Sequence, residues 1–488
     1  MGPRRGSSVA LLYDPGRAAR NRERQRAVWA VLAALLIRAP ARAELFPINP
    51  TVKKIVDAIS ADRIAANIRK LQSFGTRHTL SDQNDPNRGI GAARRWIEAE
   101  LRRYSPRLQV RLDTHRVARQ GRITRDVELS NVVAELPGTV DKQRRIIIAA
   151  HYDTVALRAW RSSDEAAIPG LRVREADPNA PAPGANDDGS GTAAVMEIAR
   201  VMSRFEFEKT VEFVLFAGEE QGLIGSRLYA EQARKAKRQI EAVLNNDIIG
   251  SIESGDGRID NTTVRIFSAG PEDSGSRQLA RYIKDVGERY VPSMQADVIF
   301  RADRFGRGGD HMPFEQEGYS AVRFSSAEEN YSHQHTATDT IENMSPAYTA
   351  RVARINAAAL ASLALAPKPP VVTAPPPVIL AGLIPFVSGP GAPRILLSSG
   401  KSRYDALLRW RNEKPEPDLA GYIVLIRRTT APFWERRIFV GNVTEFLMPG
   451  MSINEVVFGV QAVDRDGNAS LVSAYTLPEY PRVRSEDR

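Results

Sequence analysis

The chain has 488 residues, more than the roughly 250–300 that one hydrophobic core supports, so its length predicts two domains. Hydrophobic residues make up 42% and charged residues 26%, which is typical of a globular protein. The net charge of +10 is concentrated in residues 1–43, where nine arginines and two acids give +7 and leave +3 for the rest. We therefore expect no nucleic-acid partner.

Residues 1–43 have the pattern of a secretory signal peptide. An arginine-rich stretch precedes eleven apolar residues at 27–37, too few to span a bilayer, which requires about 20. The run ends in Ala41-Arg42-Ala43, a small-x-small cleavage site. A buried core helix is the alternative, but no polar face accompanies the run. We expect a secreted or cell-envelope protein (periplasmic or extracellular), without a stable membrane span after signal removal.

Residues 44–366 alternate between two kinds of apolar pattern. Helical spacing occurs at 60–74 (with Ser60 as cap), 89–104, 192–205, 226–236, 274–286 and 346–365. Strand-like runs occur at 108–112, 129–136, 146–150, 210–216, 242–249 and 264–267. Short, nearly all-apolar strands separated by helices indicate a sheet covered on both faces, hence an α/β domain.

The pattern changes after residue 366. Prolines are frequent in residues 367–377, which indicates a semi-rigid linker. Beyond it, strand-like runs at 407–410, 421–426 and 456–462 are separated by turn residues, without helical spacing. Residues 378–485 are therefore predicted to form a small all-β sandwich.

Several predicted strands end in a histidine or an acid. His151 follows one apolar run in His151-Tyr-Asp153, Glu219 and Glu220 follow another, and Asp247 ends a third. Ligands bind beyond the carboxyl ends of strands in open α/β sheets, and Asp153 could orient the imidazole. Alternatively, His151 could be an ordinary loop histidine, and Glu219 and Glu220 could be an exposed pair that caps the next helix. Burying two neighbouring carboxylates at a strand end is, however, costly without a cation.

Two further segments complete the pattern. Asp187 and Asp188 lie in a glycine-rich turn that opens a helix, where they could bridge cations or where Asp188 or Ser190 could simply cap the helix. His335 lies in a late loop. The sequence has no cysteine, so His, Asp and Glu would have to hold any metal. Together these residues suit a pair of divalent ions bound by nitrogen and oxygen, and zinc is the expected metal.

These motifs give residues 44–366 a resemblance to a known family. They are His151-Tyr-Asp153, 184–188 (Gly-Ala-Asn-Asp-Asp), 217–220 (Ala-Gly-Glu-Glu), 246–250 (Asn-Asp-Ile-Ile-Gly) and 335–340 (His-Thr-Ala-Thr-Asp-Thr), in family order. The segment resembles the co-catalytic two-zinc peptidases, which include bacterial leucyl aminopeptidases, glutamate carboxypeptidase II and glutaminyl cyclases. The resemblance implies a mixed, mostly parallel central sheet flanked by helices, of the zinc exopeptidase type.

The resemblance also implies a role for each residue, with two zinc ions per chain. It assigns one zinc to His151 and Asp247 and the other to Glu220 and His335, with Asp187 bridging both ions through a turn whose 187–188 peptide bond is cis. It makes Glu219 the general base and Asp153 the support of His151. His335 is chosen over His333 because the family ligand precedes Thr-x-x-Asp-Thr. Residues 309–314 resemble a further segment of the family, except that Gly309 stands where the family usually has a serine. Asp310 is therefore expected to support the structure without binding metal.

The implied activity is that of a metallo-aminopeptidase acting on peptide substrates. Two cations would hold a water, lower its pKa and polarise the scissile carbonyl, while Glu219 moves the proton to the leaving amine. The alternatives are a carboxypeptidase using Arg301, Arg304 and Arg307 as a cationic pocket, another amide hydrolase of the family, a one-zinc glutaminyl cyclase, and a catalytically dead receptor-like protein. Residues 378–485 resemble a fibronectin type III domain of unknown partner, and the loop 156–183 is predicted to wall or cover the cleft.

Overall fold

The structure is a computed structural model that describes residues 47–157, 177–374, 394–402, 404–413 and 416–476. The predicted signal peptide, most of the predicted loop 156–183 and the end of the predicted linker lie outside these ranges. Every element described below belongs to one compact unit, Ile48–Arg488. Within the described residues, no helix combines the length and the apolar character needed to cross a membrane.

One eight-stranded sheet forms the centre of the larger domain. Its strands are β1 (Gln109–Val117), β2 (Val127–Leu136), β3 (Asp141–His151), β4 (Lys209–Phe216), β5 (Gln239–Asn246), β6 (Thr263–Phe267), β7 (Gln295–Ile299) and β8 (Ala321–Ser326). They lie in the order β1-β2-β4-β3-β5-β8-β6-β7. The central β4-β3-β5-β8 pairs and β6-β7 are parallel, and the other neighbouring pairs are antiparallel. The predicted mixed, mostly parallel sheet is therefore confirmed.

Helices pack on both faces of this sheet. They are α1 (Pro50–Asp57), α2 (Ala61–Gln72), α3 (Gly89–Tyr104), α4 (Gly189–Met202), α5 (Ile224–Lys235), α6 (Gly275–Tyr290), α7 (His311–Gln316) and α8 (Pro346–Leu365). Alternate residues of β3 enter different cores. Ile146 and Ile148 join α4 and α8 in the larger core, whereas Ile147 and Ala149 join α5 and α7 in the smaller one. This two-sided burial explains why the central strands are almost entirely apolar.

Four α-helices and strands of the larger domain were not anticipated from the sequence: α1, β7, α7 and β8. Helices α1 and α7 have 8 and 6 residues, too few for a helical repeat to stand out. Strand β8 is fully buried but carries Arg323 in its middle, which interrupts the apolar run expected of a central strand.

The carboxy-terminal part contains only antiparallel sheets among its described residues. Strands β11 (Leu397–Ser399), β12 (Ala406–Arg409) and β15 (Glu445–Met448) form one sheet, and β14 (Arg436–Gly441), β13 (Leu419–Arg428), β16 (Val456–Asp464) and β17 (Ser473–Ala474) form another. A further short pair joins β9 (Thr373–Ala374) to β10 (Arg394–Ile395). The rings of Trp410 and Tyr422 pack 5.3 Å apart in the core of this part. The all-β prediction is thus confirmed, and the resemblance to fibronectin type III stays a prediction.

Candidate metal centre

The first group of candidate ligands lies at the carboxyl ends of β3 and β5. His151 is the last residue of β3 and Asp247 directly follows β5, and because these strands are parallel neighbours their ends meet at one sheet edge. Asp187 reaches the same point from the turn before α4. His151 Nε2 lies 3.2 Å from Asp187 Oδ1 and 3.8 Å from Asp247 Oδ1. The three residues are buried and could hold one metal ion.

A second group shares Asp187 with the first. His335 Nε2 lies 3.0 Å from Asp187 Oδ2 and 3.2 Å from Glu220 Oε1. Glu220 follows β4, and His335 comes from the loop after β8. In each group the three candidate ligand atoms lie within 4.8 Å of one another. One carboxylate therefore turns a different oxygen toward each of two histidines.

The donor atoms fit a pair of zinc ions. Nitrogen and carboxylate oxygen are the donors that zinc accepts where thiolates are absent. His151 Nε2 and Glu220 Oε1 are buried, and neither has a hydrogen-bond partner among the described residues. A buried polar atom is rarely left unpaired, so both atoms suit a metal ion.

The turn before α4 is fixed by two other aspartates. Asp188 is the N-cap of α4, as one interpretation of the sequence anticipated; its carboxylate accepts hydrogen bonds from the backbone N–H of Gly191 at 2.9 Å and of His151 at 3.2 Å. The 187–188 peptide bond is cis, as the resemblance implies. Asp339 accepts from the backbone N–H of Asp187 at 3.0 Å. The hydrogen bond from the Asp187 backbone to Asp339 thus ties the carboxylate shared by both groups to the loop of His335.

Asp153 contacts the centre differently from the sequence-based expectation. His151 Nδ1 lies 3.1 Å from the main-chain carbonyl of Asp153 and 3.6 Å from its carboxylate. The two carboxylate oxygens instead accept the backbone N–H groups of Glu219 and Glu220, each at 3.2 Å. Asp153 therefore fixes the ring of one candidate ligand and the backbone of the next two acids.

The charges of the centre shift one another's pKa values. Burial alone would lower the pKa of His335, but the carboxylates of Glu220 and Asp187 outweigh it and raise this pKa to about 11. Burial likewise opposes the charge on Asp187, yet its contacts with both histidines hold its pKa well below the usual value. Burial and then the neighbouring carboxylates of Asp247 and Glu220 raise the pKa of Glu219 well above normal, although His151 opposes them. Glu219 therefore needs a cation nearby to remain ionised, whereas the two histidines already keep Asp187 in its ionised form.

Three polar residues that sequence reasoning missed also build the centre. Arg323, 1% exposed, donates to Asp303 Oδ2 at 2.7 Å and lies 3.0 Å from Asp247 Oδ2. Gln334 donates to Asp187 Oδ2 at 2.9 Å. The buried guanidinium of Arg77 binds main-chain carbonyls, including that of Gly184 at 2.9 Å, beside the turn of Asp187.

His333 and Asp310, which the sequence analysis did not choose as metal ligands, lie outside both ligand groups. His333 is partly exposed and its Nδ1 pairs with the Thr338 hydroxyl at 2.9 Å. Asp310 is buried, and burial raises its pKa to about 7. Neither belongs to a group of three candidate ligands.

Comparison with known sequences identifies the family. Residues 131–360 match peptidase family M28. The chain is 36% identical over 460 residues to a probable zinc metalloprotease of Leptosphaeria maculans, covering 88% of this chain and 97% of that protein. A probable zinc metalloprotease of Pyricularia oryzae is 36% identical over 476 residues, covering 90% and 85%. The chain belongs to peptidase family M28. It is a zinc metalloprotease, a hydrolase of peptide bonds.

Solved structures with a related fold include aminopeptidases and glutaminyl cyclases. The Legionella pneumophila LapA aminopeptidase is 20% identical, with a TM-score of 0.48, covering 64% of this chain and 74% of that one. A glutaminyl cyclase of Porphyromonas gingivalis is 19% identical, with a TM-score of 0.46, covering 62% and 98%.

Proposed function

We propose that the protein is a two-zinc aminopeptidase that releases the amino-terminal residue of peptides. The observation that carries this proposal is the shared carboxylate of Asp187, whose Oδ1 lies 3.2 Å from His151 and whose Oδ2 lies 3.0 Å from His335. One ion would be held by His151, Asp187 and Asp247, and the other by Asp187, Glu220 and His335. A site for one ion would not need a carboxylate oriented toward both histidines.

Each acid has a separate task in this proposal. When bound, a pair of divalent cations lowers the pKa of water and polarises a carbonyl group. Glu219 lines the same cleft without belonging to either ligand group, so its carboxylate is free to take the proton of the attacking water and deliver it to the leaving amine. Asp153 holds the backbone of Glu219 and thereby its position.

The proposal extends to the location and organisation of the chain. Residues 1–43 would be removed as a signal peptide during export to the periplasm or the extracellular space. Residues 44–366 would form the catalytic domain and 378–485 a fibronectin type III-like module. Residues 367–377 would form the linker, in which Thr373–Ala374 pairs with β10 as strand β9. Leu157 lines the cleft, and its backbone N–H donates to the carbonyl of His335 at 3.0 Å.

A carboxypeptidase is the second candidate, because arginines line the cleft. Arg304 and Arg307 belong to the lining, whereas Arg301 does not and stacks instead on Phe305 at 4.4 Å. An arginine in the cleft could bind the terminal carboxylate that such an enzyme recognises.

The test is hydrolysis of aminoacyl-anilides by the mature protein, with chelator and with zinc added back. The proposal expects two zinc ions per chain, cleavage of substrates with a free amino group, loss of cleavage with chelator and recovery with zinc. Amino-blocked anilides should remain intact. Cleavage of amino-blocked peptides with a free carboxyl end would instead establish the carboxypeptidase, and folded protein that binds no zinc would contradict both.

A further inference from the structure

The cleft above the candidate metal centre has an uneven charge distribution. It has a volume of about 550 Å³. The acids in its lining are Asp187, Glu219, Glu220 and Asp247. The proposed function uses all four as ligands or as base. Apart from the candidate ligand His335, the other charged residues of the lining are arginines: Arg122, Arg304, Arg307 and Arg323.

Two of these arginines are neutralised within the protein. Arg323 is enclosed by Asp247 at 3.0 Å and Asp303 at 2.7 Å. Arg304 lies 2.5 Å from Glu329 and 3.3 Å from Asp303. Their charges are therefore committed to internal ion pairs and offer little to a substrate.

The other two arginines form no ion pair with an acid among the described residues. Arg307 is exposed, donates to the neutral Gln334 at 2.8 Å and lies over the ring of Tyr331 at 5.1 Å. Arg122 lies in the loop between β1 and β2 and is partly buried. Across the part of the chain that the structure describes, neither forms an ion pair with a carboxylate. Among the described residues that line the cleft, the charge that is used neither by an ion pair nor by the candidate metal centre is therefore positive.

Gln334 connects one of these cations to the centre itself. Its side-chain oxygen accepts from Arg307, and its side-chain nitrogen donates to Asp187 Oδ2 at 2.9 Å. This chain of hydrogen bonds, together with the stacking on Tyr331, holds the guanidinium close to the bridging carboxylate. A group bound by Arg307 would consequently lie beside the bond that is cleaved.

We infer that the enzyme prefers peptides carrying a carboxylate next to the scissile bond, and that Arg122 and Arg307 bind this carboxylate. A guanidinium presents paired N–H donors that match a carboxylate, and it remains charged at every working pH. This inference rests on the proposed function, since the cleft must be the substrate site. The carboxylate can belong to an acidic side chain before or after the bond, or to the end of a short peptide.

Four peptides that differ by one group distinguish these sources. Leu-Gln-amide is the neutral reference, Glu-Gln-amide places the acid before the bond, Leu-Glu-amide places it after, and Leu-Gln with a free end supplies a terminal carboxylate. We expect kcat/KM for at least one of the three acidic peptides to exceed the reference by about fivefold or more. The ratio of kcat/KM for that acidic peptide to kcat/KM for the neutral reference should fall toward one as salt is raised from about 0.05 M to 0.5 M. Salt screens the attraction between partly exposed charges.

Variants identify the residues responsible. Arg307→Gln and Arg122→Gln should each lower the ratio of acidic to neutral kcat/KM, whereas Arg301→Gln is the matched control. Arg301 is an exposed arginine of the same segment outside the cleft lining, and its variant should keep the ratio. A ratio near one for all three acidic peptides, or a ratio unchanged in both cleft variants, would overturn the inference.

Calorimetric binding of the same peptides to the zinc-loaded Glu219→Gln protein separates this result from the proposed function. Stronger binding of an acidic peptide, lost in Arg307→Gln, would support the inference even without turnover of any peptide by the unmutated enzyme. Absence of turnover would then contradict only the proposed aminopeptidase activity. Equal binding of all four peptides would overturn the inference while leaving that activity in place.

Discussion

Glu219 and Glu220 are sequence neighbours with different surroundings. Glu220 Oε1 lies 3.2 Å from His335 and belongs to a ligand group, whereas Glu219 lines the cleft outside both groups. Their backbone N–H groups are held by the two oxygens of a single residue, Asp153. Two adjacent carboxylates can therefore face different partners, and substitution should separate their roles.

Glu219→Gln should lower kcat by about 10²–10⁴-fold while zinc content stays at the wild-type value, because the amide keeps the shape but cannot take a proton. Glu220→Gln is the matched control, since it removes a candidate ligand and should lower zinc content as well. The measurement is turnover of an aminoacyl-anilide together with zinc analysis of the dialysed proteins. Near-normal turnover by zinc-loaded Glu219→Gln would contradict the role of general base.

Arg323 should be among the largest single contributors to the stability of the metal-free centre. Its guanidinium joins Asp247 and Asp303 inside the protein, and removing one partner of a buried ion pair typically costs about 3–5 kcal/mol. We expect Arg323→Met to lower the free energy of unfolding of the metal-free protein by about that amount. Arg323→Lys should lose less, because it keeps the charge without the paired donors.

Urea unfolding followed by tryptophan fluorescence checks the Arg323 prediction. Equal free energies of unfolding for the unmutated protein and for Arg323→Met would mean that the buried pairs contribute nothing to stability.

At the scale of elements, the ends of β3, β4 and β5 bring three ligand-bearing segments together. The start of α4 positions a fourth segment, the turn that carries Asp187. The start of α4 approaches the end of β5 so closely that a Cβ on Gly191 would lie 2.5 Å from the carbonyl oxygen of Asn246. The same Cβ would lie 2.5 Å from the carboxylate of Asp188, which caps the helix. The glycine is therefore required by the contact between a helix and a strand end.

Gly191→Ala should destabilise the protein by about 1–3 kcal/mol through overpacking and should also lower zinc affinity, because Asp188 positions the backbone of His151. The measurements are urea unfolding and zinc titration. Gly255→Ala is the matched control, since a Cβ there would meet its nearest atom at 3.7 Å. Unchanged zinc affinity in Gly191→Ala would show that the centre tolerates displacement of the helix start.

The position of a candidate ligand directly after a strand could be predicted, because it is a local property of the sequence. An apolar run that ends in His151 or Asp247 places that residue at the carboxyl end of its strand. The helical segments between these runs predict parallel strands, whose carboxyl ends meet at one edge of the sheet. Arg323 and Gln334 could not be predicted in this way, since their long side chains reach the centre from elements whose position depends on tertiary packing. Strand β8 was missed because Arg323, which is buried beside the centre, interrupts its apolar pattern.

At the scale of the whole molecule, the β-rich part packs against the catalytic domain through polar contacts. Arg427 of β13 lies 2.8 Å from Asp273, just before α6, and the indole N–H of Trp434 donates to Gln278 of α6 at 3.1 Å. A second region of this contact is acidic. Glu208 precedes β4, and burial and then the charges of Asp418 and Glu416 raise its pKa to about 7, with Lys209 opposing them.

This raised pKa predicts how stability depends on pH. The carboxyl group of Glu208 binds a proton more tightly in the folded protein, at about pH 7, than in the unfolded chain, where its pKa is 4.5. Folding stability contributed by this group therefore falls as pH rises from about 4.5 to 7, and the full cost is present above pH 7. Glu208→Gln should leave stability unchanged at pH 4.5 and increase it by about 1–2 kcal/mol at pH 8, after allowance for partial solvent screening.

Urea unfolding of Glu208→Gln and the unmutated protein at both pH values measures this difference. Glu206→Gln is the matched control, because it removes an exposed glutamate two residues away and should give the same small difference at either pH. A stability gain of Glu208→Gln that is equal at pH 4.5 and 8 would mean that the contact with the β-rich part does not force a proton onto Glu208. A gain that appears only at pH 8 would make this contact a region where the catalytic domain and the β-rich part repel each other more strongly as pH rises, with Arg427 and Trp434 holding them together.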